Sequence, residues 1–327
     1  MNLGRIGTLL LTLSVLLMGQ PSMAQNGTFP DRPIKIIISF PPGGGSDALA
    51  RVLARPLSEA LGQPVIVESL PGAYGSVSGS QITRAAPGDG HVLWLVTSSH
   101  FAQAVAMQAK LPYSIPGDFT PITQVALAPI VLLTHPSLGV KSYSEFTALI
   151  KDAPAGKYFY GTYGAGSGAH FVGEYLKMKT GMSLTHVPYK GSGPLANDLL
   201  AGHVKIGLME ANTAAPLVRS GKLHALAVAT PKRAPNMPDI PTLSELGFPF
   251  DLPAWYGVVG PKNMPPAVLS RLTDEFRKIL KSEDIANKFT TMGLTPMYST
   301  PAEFKTMVEQ DIDVWSKVAK AANIKVD

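Results

Sequence analysis

Not one cysteine occurs in the 327 residues, and Asp, Glu, Lys and Arg together make up only 16% of them. The missing thiols exclude thiolate zinc sites, iron–sulfur clusters, cysteine nucleophiles and attachment as a lipoprotein. Clusters of Lys and Arg are also lacking, so the excess of +5 (28 basic against 23 acidic) is spread thinly. That argues against nucleic acid and suits, weakly, the attraction of small anions. Beyond the N-terminus no segment stays apolar for 18 residues, which makes a water-soluble mature protein the expectation.

Several catalytic signatures are missing as well. The loop Pro41 to Asp47 has neither the lysine nor the second spaced glycine of a phosphate-binding P-loop, and no G-x-S-x-G marks a hydrolase nucleophile. The seven histidines (His91, His100, His135, His170, His186, His203 and His224) never form the i, i+4 pair of a helical zinc site. Gly164-Ala165-Gly166-Ser167-Gly168-Ala169 does match G-x-G-x-x-A, the dinucleotide pattern. The acid expected after the next strand is replaced by His186-Val187-Pro188-Tyr189-Lys190, and export would place the chain where nicotinamide cofactors are scarce. No metal and no cofactor is therefore expected.

What is present begins with a leader. Arg5, the apolar run Ile6 to Met18, and Pro21 with Ser22 and Ala24 have the layout of a secretory signal peptide cleaved after Ala24, which implies a periplasmic protein. The remaining length exceeds what one core usually supports, so two domains are expected.

The chain then alternates strands, glycine- or serine-rich turns and helices: strand Ile34 to Phe40, helix Ser46 to Leu61, strand Pro64 to Glu68, helix Val77 to Ala86, strand His91 to Val96. The rhythm resumes with strands Ile130 to Thr134, Tyr158 to Thr162, Leu184 to Val187, Val204 to Met209 and Leu223 to Ala229, then strand Trp255 to Gly260 and three closing helices. This predicts an α/β, two-lobed periplasmic-binding-protein fold, each lobe a mostly parallel sheet flanked by helices, with a ligand cleft between the lobes. Residues 25–128 with 254–327 form the expected first lobe and 129–253 the second. The final helices, with no sheet of their own, should pack on the first lobe. Crossings near Leu127–Ile130 and Asp251–Trp255 are those of a hinge-bending binding protein.

Five segments end strands and open helices: Pro42–Asp47, Gly72–Ser76, Thr97–His100, Gly164–His170 and Glu210–Thr213. Such places hold free amides and the positive end of a helix dipole, and Ser46, Ser98, Ser99 and Ser167 add hydroxyls, so together they suit a small anion.

At these residues the chain resembles the tripartite tricarboxylate transporter solute-binding proteins, also called the Bug or TctC family. The likeness is carried by Arg32-Pro33-Ile34 with Pro41-Pro42-Gly43-Gly44-Gly45-Ser46-Asp47, Leu61-Gly62-Gln63-Pro64-Val65, Pro71-Gly72-Ala73, Leu111-Pro112-Tyr113, His186-Val187-Pro188-Tyr189-Lys190-Gly191 and Asp239-Ile240-Pro241-Thr242. It covers essentially the whole mature chain. It implies a periplasmic receptor, a small carboxylate ligand (a di- or tricarboxylate, an acidic amino acid or an aromatic acid) and, as partners, the membrane subunits of a secondary transporter. A monomer is the default for such a shuttle.

Carried onto matching positions, the resemblance implies ligand contacts at Gly44, Gly45, Ser46, Asp47, Ala73, Ser98, Ser99, Gly166, Ser167, His170 and Glu210, with Phe40, Tyr74 and Tyr189 completing the candidate set. Tyr74 stands where the family often has glycine, and three readings stay open: stacking on an aromatic acid, filling space to favour a smaller ligand, or pointing outward. Glu210 could accept from a ligand amine or hydroxyl, hold a bridging water, or be a solvated strand-end acid. Lys190 suits surface charge or an inter-lobe contact, and Trp255 suits hinge packing. A periplasmic enzyme on small acids and a sensory adaptor are the competing functions.

Overall fold

The computed structural model describes residues 29–85, 89–248, 250 and 253–325. The expected leader, 1–24, lies outside the described residues. The chain first lays down β1 (Ile34–Ile38), α1 (Gly45–Leu61), β2 (Val65–Ser69), α2 (Ser76–Arg84) and β3 (Val92–Thr97). A π-turn at Ser99–Gln103 leads into α3 (Ala104–Ala106), followed by the long β4 (Phe119–Ala128). Next come β5 (Ile130–Thr134), α4 (Tyr143–Ile150), β6 (Phe159–Thr162), α5 (Gly168–Thr180), β7 (Thr185–Pro188) and α6 (Ser192–Ala201). They are followed by β8 (Ile206–Glu210), α7 (Ala211–Arg219), β9 (His224–Ala229), β10 (Ala254–Pro261), α8 (Pro266–Leu280), α9 (Glu283–Thr291), β11 (Thr295–Pro296) and α10 (Pro301–Ala321).

These strands form two sheets, ordered β11-β4-β10-β3-β1-β2 and β7-β6-β8-β5-β9. In the first, β1 pairs in parallel with β2 and β3, whereas β10 lies antiparallel between β3 and β4. In the second, β6 is parallel to β7 and β8, and β5 is antiparallel to β8 and β9. Most strands of each sheet thus share one direction; β10 and β11 are reversed in the first sheet and β5 in the second, and of these β10 and β5 belong to the crossings. β1 shows why its sequence is a strand: four isoleucines are buried on both faces, and Lys35 alone reaches out, to Glu68 of β2 at 3.0 Å.

The crossings lie side by side. Pro129 alone separates β4 from β5, and the returning β10 pairs Ala254 with Ala128 at that level. Trp255 packs there as the hinge reading anticipates. It is buried, meets Phe304 edge-on at 5.4 Å, and donates its indole N–H to Asp311 of α10.

The C-terminal segment differs from expectation in two ways. Its β11 extends the first sheet along β4, and α10 also reaches the second lobe, where Trp315 meets Phe171 of α5 at 5.1 Å. A single apolar cluster accordingly runs from Trp94 and Phe119 through Phe304 to Phe171 and Phe250. The helix is fixed at its start by Pro301 and by a reciprocal Thr300–Glu303 cap.

Candidate functional site

The cleft between the sheets narrows to a cavity of about 20 Å³ beside the crossings, room for roughly one water. Phe40, Thr97, Ser98 and Ser99 line it from the first lobe; Ala128, Ala254, Trp255 and Tyr256 from the crossing strands; Tyr163 and Glu210 from the second lobe. Two larger grooves lie away from it, one between α1 and β2, the other along α4 and the end of α5.

The first-lobe side is built at the N-terminus of α1. Asp47 accepts from the Gly43 amide at 3.0 Å and from Arg51 Nε at 3.0 Å. The Arg51 bond, and then the Gly43 bond, hold its carboxyl below the usual range, so Asp47 fastens the loop Pro41 to Gly45. Ser46 hydrogen-bonds Tyr256. Phe40 lies against His100, ring centres 4.4 Å apart, and burial holds that imidazole neutral with a pKa near 4. The hydroxyls of Ser98 and Ser99 border the cavity without side-chain partners among the described residues.

From the other side comes Glu210, the last residue of β8. Its backbone is level with Ile130 of β5, and the next amide, Ala211 N–H, donates to the Pro129 carbonyl at 2.8 Å. The acid is thereby bolted to the first crossing. A methyl group built on Gly45 would stand 3.0 Å from Asn212 Nδ2, 3.5 Å from the Tyr256 hydroxyl and 3.9 Å from Glu210 Oε2. Although some of the residue remains accessible, its carboxyl lies between protein surfaces, and burial pushes its pKa up to about 7. Burial, and then Glu210 itself, hold the Tyr163 and Tyr256 hydroxyls firmly protonated.

The Gly164–His170 loop is organised for its own rigidity. Ser167 caps α5: its hydroxyl accepts from the His170 amide at 3.3 Å and donates to the Gly164 carbonyl at 2.7 Å. Gly166, at φ +66°, donates its N–H to His170 Nδ1 at 3.1 Å. The His170 ring stacks on His186 at 3.8 Å, and His186 in turn hydrogen-bonds Thr162 at 2.7 Å. His170 is thus turned into the second lobe instead of the cavity. Tyr189 is likewise engaged elsewhere, its hydroxyl donating to Asp198 at 2.8 Å.

Tyr74, in a 3₁₀ turn after Ala73, holds φ +53°, a conformation rare outside glycine. Its part-buried ring lies 3.6 Å from where a Cβ on Gly166 would stand, so it fills space between the lobes. Of the anticipated residues, the structure brings Phe40, Gly45, Ser46, Ser98, Ser99 and Glu210 to the cavity or its rim. Sequence reasoning missed Tyr163 and Tyr256. The signal for Tyr163 was its place at the head of a glycine-rich loop; for Tyr256, its place beside the crossing tryptophan.

A model described as the tripartite tricarboxylate transporter family receptor matches residues 49–324. The chain belongs to this family. It is 36% identical over 301 residues to protein BugT of Bordetella pertussis, spanning 91% of this chain and 92% of that one. Among solved structures, an R. palustris protein with adipate superposes with a TM-score of 0.81 at 31% identity, covering 91% of this chain and 99% of that one. MatC from Rhodopseudomonas palustris with bound malate gives 0.77 at 29% identity, covering 89% and 99%. The fold is that of periplasmic binding proteins, two helix-flanked sheets. No described helix is long and apolar enough to cross a membrane.

Proposed function

We propose that this family member is a periplasmic solute-binding protein that captures a small carboxylate between its lobes, without chemistry, and delivers it to the membrane subunits of a tripartite tricarboxylate-type transporter. On this reading the leader is cleaved after Ala24 and the mature chain works as a monomer. Residues 25–128 with 254–327 make one lobe and 129–253 the other.

The observation that carries the reading is convergence. Ser98 and Ser99, whose hydroxyls have no partner among the described residues, border one cavity with Tyr163 and Tyr256 beside two adjacent crossing strands, and the start of α1 adjoins Tyr256 and Glu210 at its rim. Neutral donors that become enclosed gain strength as water leaves, and adjacent crossings let the lobes part and close about one axis. Relatives solved with adipate and with malate support a carboxylate as the ligand.

The test is thermal unfolding of the exported protein against adipate, malate, citrate, acidic amino acids and benzoate. A ligand at about 100 times its dissociation constant adds about 2.7 kcal/mol of stability. A shift confined to one chemical class names the substrate; no shift with any acid overturns the reading.

A further inference from the structure

Among the described residues the Glu210 carboxyl has no hydrogen-bond or ion-pair partner, and burial alone sets its proton affinity. The described groups facing it carry no positive charge. From β10 and the β6–α5 loop come the hydroxyls of Tyr256 and Tyr163. From α1 come Gly45 and Ser46, while Asp47 and Arg51 are closed on each other. From α7 comes the Asn212 amide, and beyond Phe40 lies His100, which burial keeps neutral.

A captured acid brings a second carboxylate into this same small space. Two carboxylates held together without a cation cannot both stay ionised; one proton shared between them turns repulsion into a hydrogen bond. We propose that capture of a carboxylate by this protein takes up one proton from solvent, held on Glu210, so that binding is tightest with Glu210 protonated and weakens as it ionises. This rests on the carboxylate-capture reading above and adds its pH regulation.

The experiment is calorimetric titration of the exported protein with adipate and with malate, from pH 6 to 8, in pairs of buffers differing in ionisation enthalpy. Wild-type affinity should fall about tenfold over that range, with uptake of close to one proton per ligand at pH 8. Glu210→Gln keeps a donor at the same place and should bind across the range as wild type does at pH 6, taking up no proton. Binding that is independent of pH without proton uptake, binding that strengthens with pH, or an unchanged pH dependence in Glu210→Gln overturns the proposal and leaves carboxylate capture standing. Failure of both acids, and of the wider panel, at every pH overturns both. If Glu210→Gln does not fold, the wild-type buffer pairs decide alone.

Discussion

Gly45 and Asn212 meet across the cleft from different lobes, with room for a methyl group between them only at 3.0 Å from Asn212 Nδ2. The approach is between the first turn of α1 and the first turn of α7, so it reports directly on how far the lobes close. Gly45→Ala suits a helix at least as well as glycine and should leave thermal stability unchanged or slightly raised. Against the closed form it should cost about 1 kcal/mol, a several-fold loss of affinity. Paired melting and binding titrations check this; equal affinity would mean that the ligand-bound lobes stand further apart.

Gly166→Ala should be harsher. The position has φ +66°, and a Cβ there would lie 2.5 Å from Met107 Sδ of the other lobe. The left-handed conformation alone costs a non-glycine residue about 1–2 kcal/mol, and the collision adds to it. Urea unfolding should show a loss of at least 1 kcal/mol, together with weaker binding. A variant as stable as wild type would contradict a left-handed conformation at Gly166.

Ser167→Ala separates support from contact. Because the hydroxyl is already engaged by the His170 amide and the Gly164 carbonyl, its removal should lower stability by about 1 kcal/mol while leaving affinity within a few-fold. A tenfold or greater loss of affinity at unchanged stability would mean that the hydroxyl turns to the ligand.

Asp311 links stability to pH. Burial pushes its carboxyl up to about 6 despite the Trp255 N–H, which pulls the other way. A raised carboxyl holds its proton more tightly in the folded than in the unfolded state. Stability from this group is therefore greatest below about pH 4, declines as pH rises to 6 and is flat above, a change on the order of 2–3 kcal/mol. Asp311→Asn should remove that slope and still accept from Trp255, whereas Asp311→Leu should leave the indole N–H unsatisfied and cost about 1–3 kcal/mol. Melting curves of the three proteins between pH 4 and 7 test this.

Local pattern by itself determined most elements of this protein. The isoleucines of β1, the serine and glycine turns, and the spacing of Leu49, Leu53 and Leu57 in α1 follow from side-chain periodicities of two and 3.6, which act over a few residues. β4 escaped that reading because Pro121 and three polar residues interrupt its apolar pattern. The strand exists because β10 pairs along its length, with a register shift beside Pro121 that absorbs the missing N–H. β11, two residues long, has no signature apart from its partner β4. The leading candidates for the cleft were legible because loops after strands in α/β sheets gather on one side. Tertiary structure alone decided that Ser46 meets Tyr256, that His170 stacks on His186 and not on the cavity, and that the described donors around Glu210 include no cation. Those outcomes join residues far apart in the chain, and they depend on how two lobes and a C-terminal helix settle together, which no local period encodes.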